Sequence, residues 1–101
     1  MPFTLTWRLV HDASETIVTI DADEITLGRG RENDLQLPVH HIARRHALLR
    51  REPDGRYRLF DLQSRNGVWF QRAGVPSEGV LLSDGDVFQL ADVAVVVREV
   101  R

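Results

Sequence analysis

Nowhere in this chain of 101 residues does an apolar pattern with the 3.6-residue period of a helix persist, while short alternating or β-branched runs recur between turn signals. Phe3, Leu5, Trp7 and Leu9 alternate with Thr4, Thr6, Arg8 and Val10, as a strand does when one face meets a core. His11 to Glu15 reads as a turn. Thr16 to Ile20 and Ile25 to Leu27 are rich in β-branched residues, and Asp34 to Leu37 alternates until Pro38 interrupts it. Ala47 to Arg51 and Arg56 to Phe60 flank Glu52-Pro53-Asp54-Gly55, whose Pro-Asp-Gly core is a hairpin signal. Beyond Asn66-Gly67, strand-like runs at Val68 to Phe70, Val80 to Leu82, Val87 to Leu90 and Val93 to Val97 are separated by Gly74, Pro76, Gly79 and Asp84-Gly85-Asp86. Trp69 reads as a core residue. So many short strands with frequent turns predict an all-β sandwich or barrel rather than an α/β fold. The length predicts one domain, residues 1–101, able to bury roughly two-thirds of its unfolded surface without staples.

Composition then narrows the function. The longest apolar run, Val93 to Val97, is far too short to span a bilayer, and no leader-like segment opens the chain. With no cysteine there is no disulfide framework, and a cytoplasmic setting is expected. A net charge of −2 argues against a general nucleic-acid binder, whose affinity comes from accumulated cations. All 13 basic residues are arginine, which fits a bacterial genome of high GC content and means that converging cations present planar forks suited to phosphate or carboxylate.

Chemistry is concentrated in Val39-His40-His41-Ile42-Ala43-Arg44-Arg45-His46-Ala47, with polar turns upstream at Leu27-Gly28-Arg29 and downstream at Asp61 to Gly67. Three turns at one edge of a sandwich would form one site. Gly28-Arg29-Gly30 lacks the third glycine and the following helix of a dinucleotide site. His40, His41 and His46 have no cysteine partner and sit beside arginines that repel a metal, so no metal or other cofactor is expected. Ser64, His46 and Asp61 are the ingredients of a triad, but no strand-turn-helix elbow surrounds the serine, and no enzyme activity is expected. Asp84-Gly85-Asp86 is most simply a turn. What remains is Arg29, Arg44, Arg65 and Asn66 on three turns, a donor set suited to a small multivalent anion.

On these residues the chain resembles the forkhead-associated (FHA) domain family from about Ile25 onward. Gly28-Arg29 matches the family's glycine-arginine pair, and Asn33-Asp34-Leu35-Gln36-Leu37 matches its Asn-Asp-Ile/Leu-x-Leu strand. Ala43-Arg44-Arg45-His46-Ala47 resembles its Ser-Arg-x-His-Ala motif, Asp61 to Gly67 its Asp-Leu-x-Ser-x-Asn-Gly turn, and Leu82 to Asp86 its Leu-x-x-Gly-Asp corner. The resemblance implies a β-sandwich of two antiparallel sheets with functional loops at one edge, and a signalling module that binds phosphothreonine peptides. By that resemblance Arg29 holds the phosphate, Arg44 assists, Arg65 borders the phosphate pocket and Asn66 bonds the peptide backbone. Gly28, His46, Ser64 and Gly67 shape the loops. The implied partner is a threonine-phosphorylated protein or a Ser/Thr kinase pathway component, bound by a monomer that is either free-standing or part of a larger protein.

Two departures qualify the resemblance. Position 43 is alanine where the family has its phosphate-binding serine, and no serine or threonine lies between Thr26 and Ser64 to replace it. A hydrogen bond to a charged group contributes about 1.5–3 kcal/mol, roughly ten- to over a hundredfold in affinity, so weakened binding is expected. Arg65, His40 or His41 are the candidate substitutes. Gln71-Arg72-Ala73-Gly74 also replaces the family's compact Asn-Gly hairpin, predicting an altered loop tip. The alternative function is phosphate-independent docking through a sheet face or the 71–79 loop, which a large exposed apolar patch would favour.

Overall fold

A computed structural model describes residues 3–9 and 15–99. In chain order the strands are β1 (Phe3–Leu9), β2 (Thr16–Ile20), β3 (Glu24–Gly28), β4 (Leu35–Gln36), β5 (Ala47–Arg51) and β6 (Tyr57–Asp61). They continue with β7 (Val68–Phe70), β8 (Ala73–Gly74), β9 (Val80–Leu81), β10 (Val87–Leu90) and β11 (Val93–Glu99). Every strand read from the alternation is present, and β8 is added. The turn expected over His11 to Ser14 lies outside the described residues.

Six strands form one sheet in the order β2-β1-β11-β10-β7-β8, and five form the other in the order β4-β3-β5-β6-β9. The pairing is antiparallel except where β4 joins β3 in parallel, Leu27 opposite Leu35, a departure from two purely antiparallel sheets. Parallel pairing over so short a connection is possible because β4 is only two residues long and side chains hold the turn. Asp34 Oδ2 accepts from the Thr26 amide at 2.9 Å, and the Leu37 amide donates to Gly28 O at 2.8 Å.

The alternating residues meet between the sheets as their period requires. Leu5, Ile25, Leu27, Leu49, Leu59, Phe88, Leu90 and Val95 are buried there. Leu37 and Ile42 join them from the segment between β4 and β5, anchoring it to the core. Glu52-Pro53-Asp54-Gly55 forms the expected hairpin turn, with Gly55 at φ +93° and the Glu52 amide on Arg56 O at 2.7 Å.

One expectation is corrected and another is refined. Trp69 is 43% exposed and lies outside the core, because its register partner on the edge strand β8 is Gly74, which has no side chain to cover it. The β7–β8 connection, whose tip was expected to be altered, keeps the compact two-residue form, with Gln71-Arg72 at the tip and Phe70 paired to Ala73. Both residues take positive φ, 52° and 66°, the backbone that Asn-Gly adopts more readily.

The registers also place the site. Antiparallel pairing brings the end of β3, the start of β5 and the end of β6 to one edge of the five-stranded sheet, with Leu27, Ala47 and Asp61 in line. Across the sandwich, the start of β7 faces the end of β10, Val68 opposite Leu90, and the Ala91 amide donates to Gly67 O at 3.3 Å. Four connections, at 29–34, 37–46, 62–67 and 91–92, therefore meet at one end.

Candidate functional site

Gly28 determines how closely the first two connections approach. A Cβ there would lie 2.4 Å from Arg44 O and 2.8 Å from Asn33 Nδ2, so only glycine fits. The close approach lets the Arg29 amide donate to Ala43 O at 2.9 Å and the Gly30 amide to Arg44 O at 3.0 Å, extending the β3–β5 ladder. Asn33, buried and treated in the sequence only as part of a strand motif, completes the joint. Its Nδ2 donates to Gly30 O at 2.8 Å and to Arg44 O at 2.7 Å. The only sequence signal for this was an asparagine just ahead of a strand, a position that favours turn bonding.

His46 ties the second connection to the third. The imidazole is wholly buried: the Ala43 amide donates to Nδ1 at 3.0 Å, and Nε2 lies 2.8 Å from Gly67 O. With an N–H on Nδ1 and a carbonyl on Nε2, these hydrogen bonds select the tautomer that carries its proton on Nε2. Ser64 closes the 62–67 turn, its amide and hydroxyl both donating to Asp61 Oδ1, at 2.9 and 2.7 Å. Ser64, His46 and Asp61 are thus bonded as loop supports and do not form a relay. Gly67 has φ +82°, and Trp69 Nε1, which donates to Asn66 O at 3.1 Å, would lie 2.8 Å from a Cβ there.

These supports frame a cleft of about 440 Å³ lined by Arg29, His40, His41, Ile42, Ala43, Arg65 and Asn66. Arg29 Nε donates to Ile42 O at 3.1 Å, which aligns the guanidinium and leaves its two terminal nitrogens without a partner among the described residues. Arg65 has no ion pair or hydrogen bond among them. Asn66 Nδ2 donates to His41 O at 2.8 Å, leaving its Oδ1 free to accept. Two unneutralised forks in one concavity are a fixed positive field, and an anion with several acceptor oxygens satisfies both.

Arg44 stands apart from the other arginines. Its side chain is 77% exposed, does not line the cleft, and donates from Nε to Glu32 Oε1 at 3.0 Å. Glu32 is held below its ordinary value by its backbone hydrogen bond and then by the Arg44 charge. His40 and His41, named in the sequence only as possible substitutes, do line the cleft.

The FHA domain sequence pattern matches residues 25–91, two-thirds of the chain. The chain belongs to the FHA domain family. Among curated proteins it is similar to the human E3 ubiquitin-protein ligase RNF8, 37% identical over an alignment of 89 residues that covers 82% of this chain and 18% of the ligase. It is 35% identical over 80 residues to the oxoglutarate dehydrogenase inhibitor of Corynebacterium diphtheriae, covering 79% of this chain and 54% of the inhibitor. This FHA domain thus spans less than two-thirds of either relative. A structure from work on phosphothreonine-dependent FHA domain interactions superposes over 100% of this chain and 99% of its own, with a TM-score of 0.83 at 29% identity. FHA domains are phosphothreonine-binding signalling modules and not themselves enzymes, and the similarity to the ligase covers 18% of its length.

Proposed function

We propose that this FHA domain binds a threonine-phosphorylated segment of a partner protein in the cleft between the 29–34, 37–46 and 62–67 connections. The observation that carries the reading is the convergence of Arg29, Arg65 and Asn66 on one concavity with both guanidinium groups unneutralised. Arg29 is the principal phosphate contact, Arg65 supplies further donors from the 62–67 connection, and Asn66 Oδ1 accepts from a peptide N–H. Arg44 adds only a longer-range charge, because Glu32 already neutralises it. A phosphothreonine, with about −1.5 to −2 charges and three acceptor oxygens, matches this set. The partner class is a substrate of a Ser/Thr kinase pathway in the cytoplasm, and the absent hydroxyl at position 43 leaves the affinity below what the frame would otherwise support.

The test is calorimetric binding of a degenerate phosphothreonine peptide library against its unphosphorylated twin. The expected results are phosphate-dependent binding, its loss in Arg29→Ala, and a gain of roughly tenfold or more in Ala43→Ser from one added bond to a charged group. No binding by the parent at any accessible concentration overturns the reading.

A second reading has its own observation. On the outer side of the six-stranded sheet, Ile17 (67% exposed) and Val87 (48% exposed) lie on one cross-strand row through Thr6 and Val96. Binding of a partner that is insensitive to phosphatase treatment but lost in Ile17→Lys or Val87→Lys would favour phosphate-independent docking there.

A further inference from the structure

The wall of the cleft formed by the 37–46 connection is short of donors. Ala43 has no hydroxyl, and its amide is committed to His46 Nδ1 at 3.0 Å. The Ile42 amide donates to Val39 O at 3.1 Å, and Arg44 Nε is on Glu32. The side-chain donors left on this wall are the imidazoles of His40 and His41.

His41 is held at both ends. Its carbonyl accepts from Asn66 Nδ2 at 2.8 Å, and its ring Nδ1 lies 3.4 Å from Asp92 Oδ2 on the β10–β11 turn. The other oxygen of Asp92, Oδ1, is buried with no hydrogen-bond partner among the described residues, so the carboxylate has spare accepting capacity. His40 meets the His41 ring edge-on, with centroids 5.5 Å apart, and contributes no comparable brace.

We propose that His41, braced by Asp92, donates to the bound phosphate in place of the hydroxyl that position 43 lacks, so that phosphate binding is coupled to protonation of that imidazole. The inference rests on the phosphothreonine reading above. Its reason is the donor inventory of the ring. With Nδ1–H given to Asp92, a neutral imidazole presents a lone pair at Nε2, which a phosphate oxygen repels. Only the imidazolium donates from both nitrogens. The charged and titratable groups around the ring are Asp92 at Nδ1, and Arg29, Arg65 and His40 in the lining of the same cleft. An arriving dianion adds negative charge beside the ring, and imidazole is the side chain whose ordinary charge change lies between about pH 5 and 8.

The test compares the full chain with His41→Gln, His40→Gln and Asp92→Asn, using the tightest phosphothreonine peptide from the library, at pH 6 and pH 8. The phosphate itself takes up a proton near pH 6, but this affects every variant alike and cancels in the ratio of affinities. The expected ratio of parent to His41→Gln is near one at pH 8 and about tenfold at pH 6, the size of one added charged hydrogen bond. His40→Gln keeps the acid-side gain and Asp92→Asn loses most of it. A parent-to-His41→Gln ratio that is the same at both pH values overturns the inference and leaves phosphothreonine binding standing. An acid-side gain lost in His40→Gln and kept in His41→Gln does the same. Absence of phosphopeptide binding by the parent at both pH values overturns the two together.

Discussion

His46 shows what a single residue does in this site without touching a ligand. Its two ring nitrogens join connections that are remote in sequence, Ala43 on one side and Gly67 on the other. Replacing it by alanine strands a buried donor and acceptor and opens a cavity, so His46→Ala is expected to lower stability by about 2–4 kcal/mol in urea unfolding. A loss under 1 kcal/mol would show that the tie is dispensable. The sequence pointed to His46 as a structural histidine through its place beside a strand, yet its partners were not legible, because one of them is a main-chain carbonyl 21 residues away. Trp69 shows the opposite failure. An aromatic residue within an apolar run reads as core, but its exposure was decided by the lone hydrogen atom of Gly74 beside it. The donor shortage at Ala43 was fully visible, since a missing hydroxyl is a property of the residue itself.

At the scale of elements, the β7–β8 hairpin carries strain and the β3–β5 joint excludes side chains. Gln71 and Arg72 occupy the left-handed region, which costs a non-glycine residue roughly 1–2 kcal/mol. Gln71→Asn together with Arg72→Gly is therefore expected to raise stability by about 1 kcal/mol, after the added flexibility of the unfolded glycine is counted, as a higher urea midpoint. Gly28→Ala is expected to act in the other direction. Its Cβ would press on backbone at 2.4 Å, so stability should fall by more than 2 kcal/mol and phosphopeptide binding should be lost with the cleft. Wild-type stability in that variant would mean that the two connections separate without cost. Strand existence was legible throughout, because the period of two survives in so many short segments. The parallel pairing of β4 was not, since it depends on the side chains of Thr26 and Asp34 meeting across a turn.

Over the whole molecule, ion pairs lie on the five-stranded sheet and at the sandwich margins. The five-stranded sheet is covered by ion pairs, Arg50 with Glu24 and Arg58 with Glu52, and Arg50 also lies 5.3 Å from the centre of the Phe60 ring. At the sandwich margins, the Arg51 hydrogen bond holds Asp21 below its ordinary value of 3.8, and the Arg56 hydrogen bond does the same for Asp54. With Glu32, these carboxylates have folded pKa values lower than their unfolded ones. Their contribution is therefore complete above about pH 5 and is lost as pH falls through 4 toward the folded values. Urea midpoints are expected to change little on this account between pH 7 and 5 and to drop between pH 5 and 3, with a smaller drop in 1 M salt because the groups are exposed. A drop confined to the range above pH 5 would contradict the assignment. The sequence by itself determined the strand content, the hairpin at Pro53-Asp54-Gly55 and the family, because alternation, turn residues and short motifs are properties of neighbouring residues. Which arginine faces the cleft and which is spent on Glu32, that Asp92 comes to stand behind His41, and that Trp69 lies bare were decided by the tertiary structure. Each of those depends on the register and crossing of strands that bring residues far apart in the chain within bonding distance.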